Sequence, residues 1–152
     1  MSYAVLELAQ SQFEEPIRSQ RTKVTSLFAA PWVLSALDQI ATLADLPDNW
    51  DGYGSPQIDS RAIAAARRFV ASVAFESLPL PHVSPVLGGS AGLHWRYGDR
   101  ELEFTFHPDG EIEFLKVLAA DLDRDENLET GTLREEPETA GLKLLLWMTG
   151  SR

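Results

Sequence analysis

The chain has 152 residues, 44% of them apolar and 24% charged, which are the proportions of one globular domain rather than a disordered segment. Acids number 23 against 13 Lys and Arg, a net charge of -10. This argues against a general nucleic-acid binder or an anionic membrane surface as partner, since both call for a basic footprint. With no Cys, disulfides, thiolate nucleophiles and cysteine zinc sites are excluded.

Met1 to Gln12 lacks a basic n-region, and Glu7 interrupts its apolar run, so a secretory signal is not expected. No apolar run reaches the roughly 18 to 20 residues of a membrane span, and the richest, Leu142 to Met148, contains Lys143. The expected location is the cytoplasm. One domain is expected over residues 1–152, with 1–25 loosely attached. Tyr3 to Ala9 reads equally as a short strand or a helical turn.

From Pro31 to Leu46, apolar Val33, Leu34, Leu37, Ile40, Ala41 and Ala44 follow helical spacing, with Pro31 in the first turn and Pro47 as terminator. A second helix is expected from Ser60 to Ala74. Asp59 is its N-cap, Ile58 and Ile63 form a hydrophobic staple, and Ile63, Ala66, Phe69, Val70 and Val73 form its stripe. Arg61, Arg67 and Arg68 fall off that stripe, in solvent.

Leu78-Pro79-Leu80-Pro81 breaks the helical pattern. Four strands are expected at His82–Leu87, Gly92–Tyr97, Arg100–His107 and Glu111–Val117. Gly88-Gly89-Ser90, Gly98-Asp99 and Pro108-Asp109-Gly110 supply the turns. A two-residue turn at Gly98-Asp99 pairs Tyr97 with Arg100, Trp95 with Leu102 and Leu93 with Phe104. A three-residue turn at 108–110 pairs His107 with Glu111, Phe106 with Ile112 and Phe104 with Phe114. Both turns then place Leu93, Trp95, Tyr97, Leu102, Phe104, Phe106, Ile112 and Phe114 on one face, and His94, Arg96, Glu101, Glu103, Thr105, Glu111 and Glu113 on the other. Residues 119–139 hold eight acids and two arginines and read as an acidic mobile loop. Pro137 and Glu138 open a last helix bearing Leu142, Leu145 and Leu146 on one side. The fold class is therefore α+β: a three- to four-stranded antiparallel meander with one face packed on two or three helices.

The string Asn49-Trp50-Asp51-Gly52-Tyr53-Gly54, with Pro56 one residue beyond, is the most distinctive. It reads first as a tight connector pinned by its aromatics, and second, without excluding the first, as a recognition loop with hot-spot chemistry. It resembles a motif shared by small bacterial proteins of unknown function. The likeness extends to Pro79, Pro81 and Pro85 and to Leu93-His94-Trp95, spanning about Leu46 to Val117. It implies an α+β fold and a bacterial or phage setting, and it carries over no catalytic residue.

Calcium is disfavoured by spacing. With Gly52 at the glycine position of an EF-hand loop, Pro47 and Ile58 fall at the first and last ligand positions. Asp121, Asp123, Asp125 and Asn127 alternate better, but Glu126 takes the glycine position and Thr132 that of the bidentate Glu. His94 lies opposite Glu103, and His107 is four residues further along, roughly 14 Å away at 3.4 Å per residue, so the two cannot share one metal. His94 with Glu103 reads as a cross-strand charge pair, and His107 as exposed. Nucleophile signatures are absent. Gly88 to Gly92 lacks the Lys of a phosphate loop and reads as a hairpin turn. Glu101, Glu103, Glu111 and Glu113 offer paired carboxylates, but with Arg96 among them they read as a solvated sheet face.

Two functional classes remain. The first is a non-catalytic, acidic protein-binding module with a basic partner, of the kind found among inhibitors, antitoxins and immunity proteins of bacteria and phages. Its contact residues are Trp50, Asp51 and Tyr53, with Asp121, Asp123, Asp125 and Glu126 as steering charge. No cofactor is expected. Leu142 to Met148, apolar nearly all round as a helix, suits core burial or a homodimer contact. The second class is a small carboxylate- or metal-dependent enzyme using Asp48 and Asp51 or the acidic loop.

Overall fold

The computed structural model describes residues 29–119 and 127–150. The expectations for Tyr3 to Ala9 and for the acids at 121–126 lie outside these. Three helices and a five-stranded antiparallel sheet form an α+β fold in the order α1 (Pro31–Thr42), a 3-10 turn (Leu43–Asp45), α2 (Ser60–Ser72), β1 (His82–Val86), β2 (Ser90–Tyr97), β3 (Arg100–Phe106), β4 (Ile112–Leu118), β5 (Leu128–Leu133) and α3 (Pro137–Thr149). The strands lie side by side in chain order. No helix among the described residues is long and apolar enough to cross a membrane.

The register follows the turn chemistry. Tyr97 pairs with Arg100, Trp95 with Leu102 and Leu93 with Phe104. Phe104 pairs with Phe114 and Phe106 with Ile112. Left-handed Gly98 and Gly110 occupy the two turns, where a side chain would be strained. Leu93, Trp95, Leu102, Phe104 and Phe106 are wholly buried against the helices. Tyr97, at the strand end, is mostly exposed.

The fifth strand corrects the sequence reading. Residues 128–133 are not loop: they pair with β4 from Val117–Leu128 to Ile112–Leu133. The segment's acids masked a short alternating run of Leu128, Thr130 and Thr132 on one face and Glu129, Gly131 and Leu133 on the other. Phe114 lies over Gly131, where a Cβ would stand 2.7 Å from its Cε1. The aromatic ring thus covers the bare backbone of the edge strand.

The first helix also faces the sheet differently from its simple periodicity. Trp32, Val33, Ala36 and Ile40 are buried, whereas Leu34 is 55% exposed. The indole decides the rotation. Trp32 Nε1 donates to the Glu76 carbonyl at 2.8 Å, and its ring meets Trp95 edge-on at 5.8 Å. Ala36 on α1 and Ala62, Ala65 and Ala66 on α2 are all buried, and small side chains permit close helix approach. Trp95 Nε1 donates to the Pro79 carbonyl, so the proline break is tied to the core by a satisfied indole.

Asp59 caps α2 by accepting from the Arg61 amide at 2.8 Å. The Arg61 guanidinium also bonds it, at 3.0 Å through both Nε and Nη2. Those side-chain bonds first, and the amide second, hold the Asp59 carboxyl at about 2. A carboxyl depressed on folding stabilises the fold above its unfolded value near 4 and loses that contribution as pH falls through the folded value. Asp59→Ala is therefore expected to lower Tm at neutral pH. The gap to wild type should close between about pH 4 and pH 2 in thermal unfolding followed by circular dichroism.

The last helix, α3, is spent largely on the core. Leu145 and Met148 are buried, and Leu142, Leu144 and Trp147 pack against them in part. Its end is held electrostatically. Arg100 donates to the Trp147 carbonyl, and Arg100 and Lys116 stand 5.1 and 4.5 Å from the Trp147 ring centre. Cations at a helix C-terminus and over an indole face are both favourable.

Candidate functional site

The loop between α1 and α2 is organised by its own polar groups. Asp51 accepts from the Tyr53 amide at 2.9 Å, the Ser55 amide at 3.2 Å and the Ser55 hydroxyl. The Ser55 hydroxyl, then the Tyr53 amide, lowers the Asp51 carboxyl below its ordinary range. Asn49, left-handed, accepts from the Gly54 amide at 2.6 Å, and Asp48 accepts from the Gln57 amide. Trp50 Nε1 donates to the Pro56 carbonyl at 3.0 Å, and the indole packs in part on the core. Of the three residues expected at a contact, Trp50 and Asp51 are thus engaged in building the loop. Tyr53 is 92% exposed and projects from it. Asp121, Asp123, Asp125 and Glu126 lie outside the described residues.

The helices cover one face of the sheet. The other carries a band of polar side chains. His94 does sit opposite Glu103 in register, but its Nε2 bonds Glu101 Oε1 at 2.9 Å. Arg96 takes the other oxygen of Glu101 at 3.1 Å. The diagonal carboxylate serves both side chains at once. Glu103, Glu111 and Glu113 form no ion pair with Lys or Arg among the described residues.

Glu103, Thr105, Glu113, Leu115, Thr130 and Thr132 line a concavity of about 450 Å³ on this face. Thr105 is opposite Glu113 and Glu103 is opposite Leu115, which makes the two carboxylates diagonal neighbours across β3 and β4. Strand β5, unforeseen from the sequence, supplies the two threonines of the far wall.

At one end of the face stands a group that the sequence reading missed. His107 is not exposed but half-buried. Its Nδ1 meets Ser90 Oγ at 2.7 Å and its Nε2 meets Glu113 Oε1 at 2.8 Å. With Glu111, the His107 and Glu113 ligand atoms all fall within 4.8 Å of one another. Extending the β2–β3 register by one pair beyond Ala91–Phe106 brings Ser90 to His107, and that step was the available signal. The Ser–His–Glu chain is not a nucleophilic triad, because Ser90 is 1% exposed and its hydroxyl cannot meet a substrate.

Comparison with protein-family models, with curated proteins and with solved structures finds no match.

Proposed function

We propose that the protein is a non-catalytic binding module that presents the outer face of its sheet to a basic protein partner. The observation carrying this reading is the concavity at Glu103 and Glu113, whose carboxylates form no ion pair with Lys or Arg among the described residues. Its threonine hydroxyls and the Leu115 side chain can accept the stem and head of a partner's Lys or Arg. A chain of net charge -10 steers such a partner in from a distance, and the pocket sets its register. Tyr53 adds an exposed aromatic at a separate place, as a second contact.

An inhibitor, antitoxin or immunity-type protein of bacterial or phage origin fits this chemistry. The setting rests on the likeness of residues 49–56 to the bacterial motif. The enzyme reading draws less support, since the Asp48 and Asp51 carboxylates are taken up by loop amides.

The test is affinity capture from native lysate with the wild type and with the double variant E103K/E113K in parallel. Wild type is expected to retain a basic protein at low salt and lose it at high salt. The double variant is expected to lose it at any salt while keeping its circular dichroism spectrum. Retention of the same protein by the double variant contradicts the reading.

A further inference from the structure

We propose that His107, Glu111 and Glu113 form a binding site for one divalent transition-metal ion of the zinc type, at the closed end of the β3–β4 hairpin. The hairpin fixes the site's geometry. The His107 amide donates to the Glu111 carbonyl at 2.9 Å, and the Gly110 amide donates to the His107 carbonyl at 3.0 Å. Residues 107 and 111 are thereby held opposite each other across a tight turn. Glu113 follows two residues on, its side chain on the same face of the sheet.

The ligand atoms of the three lie within 4.8 Å of one another. Around a zinc ion with bonds of about 2.0 to 2.2 Å, such atoms stand roughly 3 to 3.5 Å apart. His107 Nε2 and Glu113 Oε1 are 2.8 Å apart in a hydrogen bond, so closing the site needs a few tenths of an ångström of separation there and a rotation of the exposed Glu111 side chain.

Ser90 is the second, independent feature. It is buried, yet its hydroxyl is directed at His107 Nδ1. A hydroxyl can donate or accept, so it serves either neutral tautomer of the ring. A metal on Nε2 calls for the ring proton on Nδ1, and there the Ser90 hydroxyl is placed to accept it. Outer partners of this kind orient metal-binding imidazoles.

No Lys or Arg among the described residues forms an ion pair with Glu111 or Glu113. One imidazole with two carboxylates selects zinc and its neighbours over calcium or magnesium, which prefer all-oxygen shells. Three protein ligands leave a coordination position open.

The metal site shares Glu113 with the protein-binding pocket but requires no partner, and Glu111, outside that pocket, tells the two apart. Its test is calorimetric titration of the full chain with zinc ion, joined to long-range proton–nitrogen spectra of the histidines. One equivalent is expected to bind. Glu111→Gln should weaken it at least tenfold while leaving the Ser90–His107–Glu113 chain in place. Zinc should shift His107 Nε2, and in the bound form Nδ1 should carry the ring proton, with His82 and His94 unmoved. Absence of saturable binding, unchanged affinity in Glu111→Gln, or unmoved His107 resonances would each overturn the proposal.

Discussion

Phe104→Ala is expected to destabilise the fold by about 3 to 5 kcal/mol, seen as a fall in Tm of roughly 10 °C or more for a domain of this size. Phe104 is wholly buried. Its ring lies 4.9 Å from Phe69 on α2 and 6.0 Å from Trp95 on β2, at the point where the central strand meets the helical layer. Removing it opens a cavity between rings that are already fixed by other bonds. Trp95 is tied to the Pro79 carbonyl, and Phe69 remains packed against Phe106 and the Gly141 backbone. The neighbours therefore cannot collapse fully, which puts the cost at the upper end for such a truncation. Chemical denaturation at constant m-value measures it. A loss below about 1 kcal/mol would contradict the packing described.

Gly141→Ala separates two effects of opposite sign. In an open helix the change stabilises by about 1 kcal/mol through helix propensity. Here a Cβ at residue 141 would stand 2.2 Å from Phe69 Cε1 and 2.5 Å from its Cζ. Phe69 is buried among Phe104 and Phe106 and has nowhere to swing. The clash should win, with a net loss of about 1 to 3 kcal/mol. Gly131→Ala is the control: its Cβ would meet Phe114, which is half-buried and can tilt outwards, so a smaller loss is expected. Phe69→Leu combined with Gly141→Ala should recover part of the cost beyond additivity in a double-mutant cycle. Stabilisation by Gly141→Ala would show that α3 does not approach α2 as described.

The meander was legible because two independent turns agree. Gly98 and the 108–110 turn each set a register, and both registers bury the same alternate residues. Asp59 was legible as a cap because its chemistry is local. Elements that depend on distant partners were not. The α1 face turns on the bond from Trp32 to the Glu76 carbonyl, 44 residues away, which periodicity does not encode. Strand β5 carries glycine at its centre, and glycine alone reads as a break. Only the ring of Phe114 on the next strand makes Gly131 a strand position. In the candidate site, Asp51 and Trp50 were expected at a partner contact, and their bonds close the loop on itself. Ser90, read as part of a turn, is in fact the first residue of β2, and so its meeting with His107 was missed. The pocket at Glu103 and Glu113 needed β5 for its far wall, and the composition of residues 119–139 concealed it.

The proposed seating of a partner on the outer sheet face is tested most directly by amide hydrogen exchange of the chain alone and with the protein it captures from native lysate. Bound partner is expected to slow exchange in β3, β4 and β5 around residues 103–105, 113–115 and 130–132, with a smaller effect at Tyr53. Protection confined to residues 49–54 or to α3, or a chain that captures no partner, would contradict it.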